Sequence, residues 1–253
     1  MNKISIGAAI IVILATLGFL ILKNQVSSTL PQTQTESQNK QQSRTKDEFS
    51  DPKKAAHYES NTPEHRRVLA GVPINAVIDF NLDLAPGSEI KVEMTGKDYA
   101  AGKTIIDANK LAMRRKIDPT SPDGLYTVSY KACWADGSCH DGQFQFKIDR
   151  SLANDFTDMT GQKEVTISLQ NISFNPPGVK ISKGTKVTWV NQDNVIHTVN
   201  SDSHPSHTYY PNQNSRDLAK GDSYSVTFSD PGIYLYHCTP HADSMRGQIL
   251  VER

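Results

Sequence analysis

The chain is predicted to be all-β, with two β-sandwich domains following an N-terminal membrane anchor and a disordered tether. Three observations predict this. Short runs of alternating apolar and polar residues recur from His57 to the C-terminus, with little helical periodicity among them. Turn signals separate the runs at Ala85-Pro86-Gly87, Thr95-Gly96-Lys97, Pro122-Asp123-Gly124, Ala135-Asp136-Gly137 and Ser229-Asp230-Pro231-Gly232. The length beyond residue 55, about two hundred residues, suits two small domains with a core each.

Met1-Asn2-Lys3 opens the chain, and an uncharged, largely apolar run follows from Ile4 to Leu22, ended by Lys23-Asn24. About twenty apolar residues cross a bilayer as a helix, so residues 1–23 read as a transmembrane signal-anchor. A cleaved signal peptide has a similar charged start and apolar middle. The run exceeds a usual signal-peptide core, and no small-x-small site follows it directly, which favours the anchor. Either reading puts the domains on the extracytoplasmic side, in the periplasm or at the cell exterior of a prokaryote. Residues 24–55 are rich in Gln, Ser, Thr and Lys and lack the apolar surface to offset ordering entropy, so they read as the tether.

Residues 56–150 form the expected first sandwich, with strands at Val77–Phe80, Glu89–Met94, Tyr126–Tyr130 and Gln143–Ile148. Residues 151–163 read as a linker. Residues 164–253 form the second sandwich, closing with strands at Tyr224–Phe228 and Ile233–Cys238. The 27 basic and 27 acidic residues cancel, so no charge bias points to nucleic acid. Asp and Glu are scattered, no Ser-His-Asp order or phosphate-cradling Gly loop is present, and no His-x-His pair occurs. A non-enzymatic role is therefore expected.

Three cysteines make an odd count. In an oxidising compartment Cys133 and Cys139 are expected to pair, leaving Cys238 free to serve as a metal thiolate. Cys238 lies in Tyr236-His237-Cys238-Thr239-Pro240-His241-Ala242-Asp243-Ser244-Met245, and His197 lies upstream. Two imidazoles and a thiolate with a weak axial thioether are a copper donor set for electron transfer. His197, Cys238, His241 and Met245 are thus the candidate type 1 copper ligands. Strand alternation puts Tyr234, Tyr236 and Cys238 on one face, with Leu235 and His237 on the other. His237 then reads either as an exposed strand residue or as an electron port. Each ligand His needs an outer hydrogen-bond acceptor, for which Asn191 and Asn194 are candidates.

With the run from Ile172-Ser173-Phe174-Asn175-Pro176-Pro177 through Gly184-Thr185-Lys186-Val187-Thr188-Trp189, this region resembles the cupredoxins, the small blue copper proteins of the plastocyanin and amicyanin type. The resemblance implies a Greek-key sandwich that carries one electron on copper. His57-Tyr58-Glu59-Ser60-Asn61-Thr62-Pro63, Asp123-Gly124-Leu125-Tyr126-Thr127-Val128 and Gly142-Gln143-Phe144-Gln145-Phe146 resemble the periplasmic copper-resistance protein C family, an immunoglobulin-like sandwich. That resemblance implies a second copper site, for which His57, Asp136 and His140 are the candidates; the competing reading is a structural sandwich with a Cys133–Cys139 staple. Expected partners are a redox protein or a copper-trafficking protein. Copper resistance or delivery is the alternative to electron transfer. His204 and His207, in a polar loop, read as solvated rather than as an accessory site.

Overall fold

The computed structural model describes residues 48–253. The expected anchor, and the tether up to residue 47, lie outside those residues. Among the described residues, no helix is long and apolar enough to cross a membrane.

The first sandwich contains β1 (Tyr58–Thr62), β2 (Val68–Leu69), β3 (Asn75–Phe80), β4 (Glu89–Met94), β5 (Lys97–Asp98), β6 (Ala100–Ile106), β7 (Ala112–Ile117), β8 (Gly124–Cys133) and β9 (Cys139–Ile148). One sheet runs β1-β3-β7-β6 and the other β2-β9-β8-β4-β5. Ile90, Val92, Tyr126, Val128, Phe144 and Phe146 alternate inward from the second sheet, and Val77, Ile78 and Met113 close the core from the first. Cys133 and Cys139 are cross-strand partners at the end of the β8–β9 hairpin and are disulfide-bonded. Residues 48–55, expected within the tether, instead lie on this sandwich. Lys53 exchanges backbone hydrogen bonds with Gln143, the Ala55 N–H donates to the Tyr130 hydroxyl, and Phe49 and Ala55 are buried. One aromatic and one small apolar side chain, with this backbone pairing and the Ser50 N–H donated to the Gln145 side chain, fix a segment whose composition is otherwise polar.

The second sandwich holds β10 (Thr157–Asp158), β11 (Glu164–Leu169), β12 (Phe174–Asn175), β13 (Gly178–Ser182), β14 (Lys186–Asn191), β15 (Asn200–Ser201), β16 (Ser223–Thr227), β17 (Gly232–His237) and β18 (Arg246–Glu252). Its sheets run β12-β11-β14-β16 and β10-β13-β18-β17-β15. Trp189, fully buried on β14, donates its indole N–H to the Tyr236 hydroxyl on β17 across the core. That bond satisfies two polar groups that would otherwise be costly to bury.

The two sandwiches share apolar packing. Ile233, Leu235, Tyr209 and Leu250 of the second belong to the same buried cluster as the core of the first. The Ile233 N–H donates to Val72 O, and the Tyr209 hydroxyl accepts from the Ile74 N–H while donating to Ile233 O. Gly232 sits at φ +141, and a Cβ there would come within 2.9 Å of Val72 O, so the close approach requires glycine. The 151–163 segment, expected as a linker, takes part in this packing. A 3₁₀ helix at Arg150–Asp155 is capped by the Asp149 side chain, Leu152 and Phe156 pack on the first core, and β10 adds an edge to the second domain's sheet. All six residues of β17 are therefore buried: Tyr234 and Tyr236 face the second core, while Ile233 and Leu235 face the first sandwich.

Candidate metal centre

β17 delivers Cys238 to the end of the second sandwich, on the face shared by Tyr234 and Tyr236. A short 3₁₀ turn over Thr239–His241, entered through Pro240, brings His241 back toward it. The Met245 N–H donates to His241 O and the Cys238 N–H to Met245 O, so the loop closes on itself before β18 begins. His197 comes from the β14–β15 connection and is fixed by paired backbone hydrogen bonds with Leu218. The result is a compact donor group. His197 Nδ1 and His241 Nδ1 each lie 3.5 Å from Cys238 Sγ. Met245 is buried in the same core cluster as Cys238. His197 and Cys238 are fully buried, and His241 is half-buried.

The surroundings orient these donors. His197 Nε2 pairs with Asp193 Oδ2 at 2.9 Å, which leaves Nδ1 for the metal. Neither Asn191 nor Asn194, the expected partners, does this. Asn191 instead braces the loop, donating to Val195 O and Leu218 O and accepting from the Asp193 N–H. Asn194 accepts from Lys220. Asp193 was not legible as a partner because the contact needs the loop to fold back; its spacing of four residues from His197 was the available signal. The backbone N–H of Ile172, with His197 and the N–H of Asn171, holds the Asp193 carboxyl down at about 2. Burial raises the Cys238 thiol, opposed by the Thr198 N–H that donates to Sγ at 3.4 Å.

A second histidine group lies on the other face of the same strand. His204, His207 and His237 place one ligand atom each within 4.8 Å of one another. His237 Nδ1 pairs with Asp202 Oδ1 at 2.8 Å, and its Nε2 is buried with no hydrogen-bond partner. The Thr239 hydroxyl meets His207 Nε2 at 3.1 Å. Burial first, then the neighbouring His237 and His204, lowers His207 to about 4, so its ring is neutral. Two expectations are corrected here. His237 is not an exposed strand residue or a surface electron port: it is 1% exposed, covered by the loop that carries Asp202, His204 and His207. His204 and His207 are not merely solvated loop residues, because their loop folds back onto His237.

The structure does not assemble His57, Asp136 and His140 into a comparable group. The buried Trp134 indole sits edge-on to both imidazoles, with centroids 5.3 Å from His57 and 5.2 Å from His140. His57 Nδ1 is engaged by Asn81, and Asp136 accepts from both the N–H and the hydroxyl of Ser138. The Trp134 ring packed against both imidazoles and the turn at Asp136 leave the three side chains ungathered.

Two imidazole nitrogens on a buried thiol, at one end of a two-sheet sandwich, define a copper-binding class of protein. Residues 161–252 match the model of the copper binding proteins of the plastocyanin/azurin family, and residues 58–149 match the CopC domain. Among curated relatives, halocyanin of Natronomonas pharaonis is 35% identical over 39% of this chain and 62% of its own length. Amicyanin-alpha of Methylorubrum extorquens is 37% identical over 36% of this chain and 73% of its own. The chain thus spans less than two thirds of the halocyanin. A solved purple cupredoxin from Nitrosopumilus maritimus is 26% identical over 35% of this chain and 99% of that one, with a TM-score of 0.29. The chain belongs to the plastocyanin/azurin family of copper binding proteins, with a CopC domain preceding the family's own. Copper is accordingly its metal. The His197, Cys238 and His241 donors fit it, since one soft sulfur and two imidazole nitrogens converge in a water-poor site.

Proposed function

We propose that the second sandwich carries single electrons on a type 1 copper held by His197, Cys238, His241 and Met245. The observation that supports this most is the pair of imidazole nitrogens, each 3.5 Å from a buried Cys238 sulfur, with Asp193 dictating which His197 nitrogen faces inward. Bound copper supplies a centre that cycles between two oxidation states without proton transfer. The chain's own residues do the rest. The burial of His197, Cys238 and Met245 excludes water, and the backbone-closed loop holds the donors in one arrangement so that little reorganises when charge changes. The half-buried His241 is the ligand nearest to solvent. Exposed Ile172, Val195 and Ile196, on the two loops that meet at Asp193, offer a redox partner an apolar landing surface beside it. His241 thus takes the port role first read for His237.

The wider reading is of a non-enzymatic carrier, tethered to a membrane by residues 1–23 and working outside the cytoplasm. The Cys133–Cys139 disulfide supports an oxidising compartment. The CopC match favours copper delivery or resistance as the second reading. A carrier keeps its copper while reducing a partner; a delivery protein transfers copper to an acceptor. Loading the protein with copper(II) should give an intense blue thiolate-to-copper band, and Cys238→Ser should abolish it. A Cys238→Ser protein that stays blue would sink the assignment.

A further inference from the structure

We propose that His204, His207 and His237 form a second copper site, distinct from the one at Cys238 and carried partly on a loop that the first sandwich anchors. Three ring centroids lie 5.1 to 5.9 Å apart around a common point. His237 supplies the observation that points to a ligand. It is 1% exposed, its Nδ1 is spent on Asp202, and its buried Nε2 has no hydrogen-bond partner. A buried polar nitrogen without a hydrogen bond is rare enough in folded proteins to need a cause, and a metal ion is one. The Asp202 contact is also what a metal-binding imidazole requires: a carboxylate on the far nitrogen that fixes the tautomer and raises the ring's basicity.

The loop bearing His204 and His207 is held by the first sandwich. Asp79, buried on β3, accepts hydrogen bonds from the hydroxyls of Ser203 and Thr208, which flank both histidines, and from Ser60 on β1. His207 is pinned from the other side by Thr239, which also accepts from Asn200. A cleft of about 340 Å³ between the sandwiches has Glu59, Ser60, Asp202, His204 and Arg246 in its walls, so it reaches the group at its exposed member, His204. Imidazole donors suit several divalent metals, and among these copper(II) binds a given nitrogen set most tightly. His237 and Cys238 are adjacent and face opposite ways, so the two copper positions are joined through one peptide bond of β17 and its loop.

Copper content and paramagnetic resonance of the full chain test this. Apoprotein equilibrated with copper(II) and desalted should hold a copper beyond the blue one, with nitrogen couplings and the wide copper splitting of a site without thiolate. The double variant His204→Ala/His207→Ala should lose that signal and one equivalent of copper while its blue band stays, which also shows that the second sandwich has folded. Asp202→Asn, a gentler change, should weaken the second site by about 10- to 100-fold. Cys238→Ser should remove the colour and keep the second copper, so failure of the blue site and failure of this one are separable. The proposal falls if wild-type protein binds the blue copper alone, or if the double variant keeps both copper and signal, since a copper at His57 or His140 would survive it. Zinc retained at the site against equimolar copper(II) would overturn the choice of metal.

Discussion

Asp193 fixes the direction in which His197 presents its nitrogen, so it should matter more for metal affinity than for colour. Asp193→Ala should lower copper affinity by about 10- to 100-fold, read by competition with a chelator, while the blue band persists. Unchanged affinity would show that the backbone pairing of His197 with Leu218 orients the ring by itself. Met245, the proposed axial ligand, is expected to act differently. An axial thioether tunes a copper centre more than it holds the metal. Met245→Leu should keep copper and raise the reduction potential, and Met245→Gln should lower it, both by protein-film voltammetry. Identical potentials in both variants would remove Met245 from the ligand set.

β17 and β18 are registered so that Tyr236 lies across from Gly247, and the ring covers the glycine. A Cβ at Gly247 would lie 2.2 Å from the Tyr236 ring, which is wedged by Trp189 and by Phe174 at a 4.7 Å centroid distance. Gly247→Ala should therefore destabilise the apoprotein by about 1–3 kcal/mol, the usual range for overpacking a filled core. Urea unfolding followed by tryptophan fluorescence reads this, and an unaltered midpoint would mean that the ring swings away freely. The first sandwich repeats the device, with Gly142 beneath the Tyr130 ring on β8 and β9. In each case a tyrosine lying along its own sheet leaves room only for hydrogen on the neighbouring strand.

The apolar cluster that crosses between the sandwiches should make them unfold together. Calorimetry is expected to show one cooperative transition for the two sandwiches; two separated transitions would show that the shared cluster contributes little. Tyr209→Phe tests the same boundary. It removes a fully buried hydroxyl that joins Ile74 of one sandwich to Ile233 of the other and leaves a backbone N–H unpaired. A loss of about 1–3 kcal/mol is expected, the cost of a buried group left unsatisfied. This coupling gives the CopC domain a structural role toward the copper domain whether or not it holds copper itself.

The sequence by itself determined whatever depends on local periodicity and spacing. Alternation in Ile233–Cys238 put Cys238 inward and His237 on the opposite face, and both placements hold because strand geometry allows nothing else. The strands Glu89–Met94 and Gln143–Ile148 were legible for the same reason, and the 133–139 pairing followed from the closeness of the two cysteines in sequence and an oxidising compartment. β7 was not legible: Ala112-Met113-Arg114-Arg115-Lys116-Ile117 is made of good helix formers, and only its neighbours β3 and β6 make it a strand. Asp193 at His197, Trp134 between His57 and His140, and the gathering of His204, His207 and His237 were decided by the tertiary structure alone. The physical reason is the same in each case. Alternation tells which face of a strand a residue occupies, whereas only the folding of a distant loop, the one bearing His204 and His207, decided that His237 meets protein instead of water.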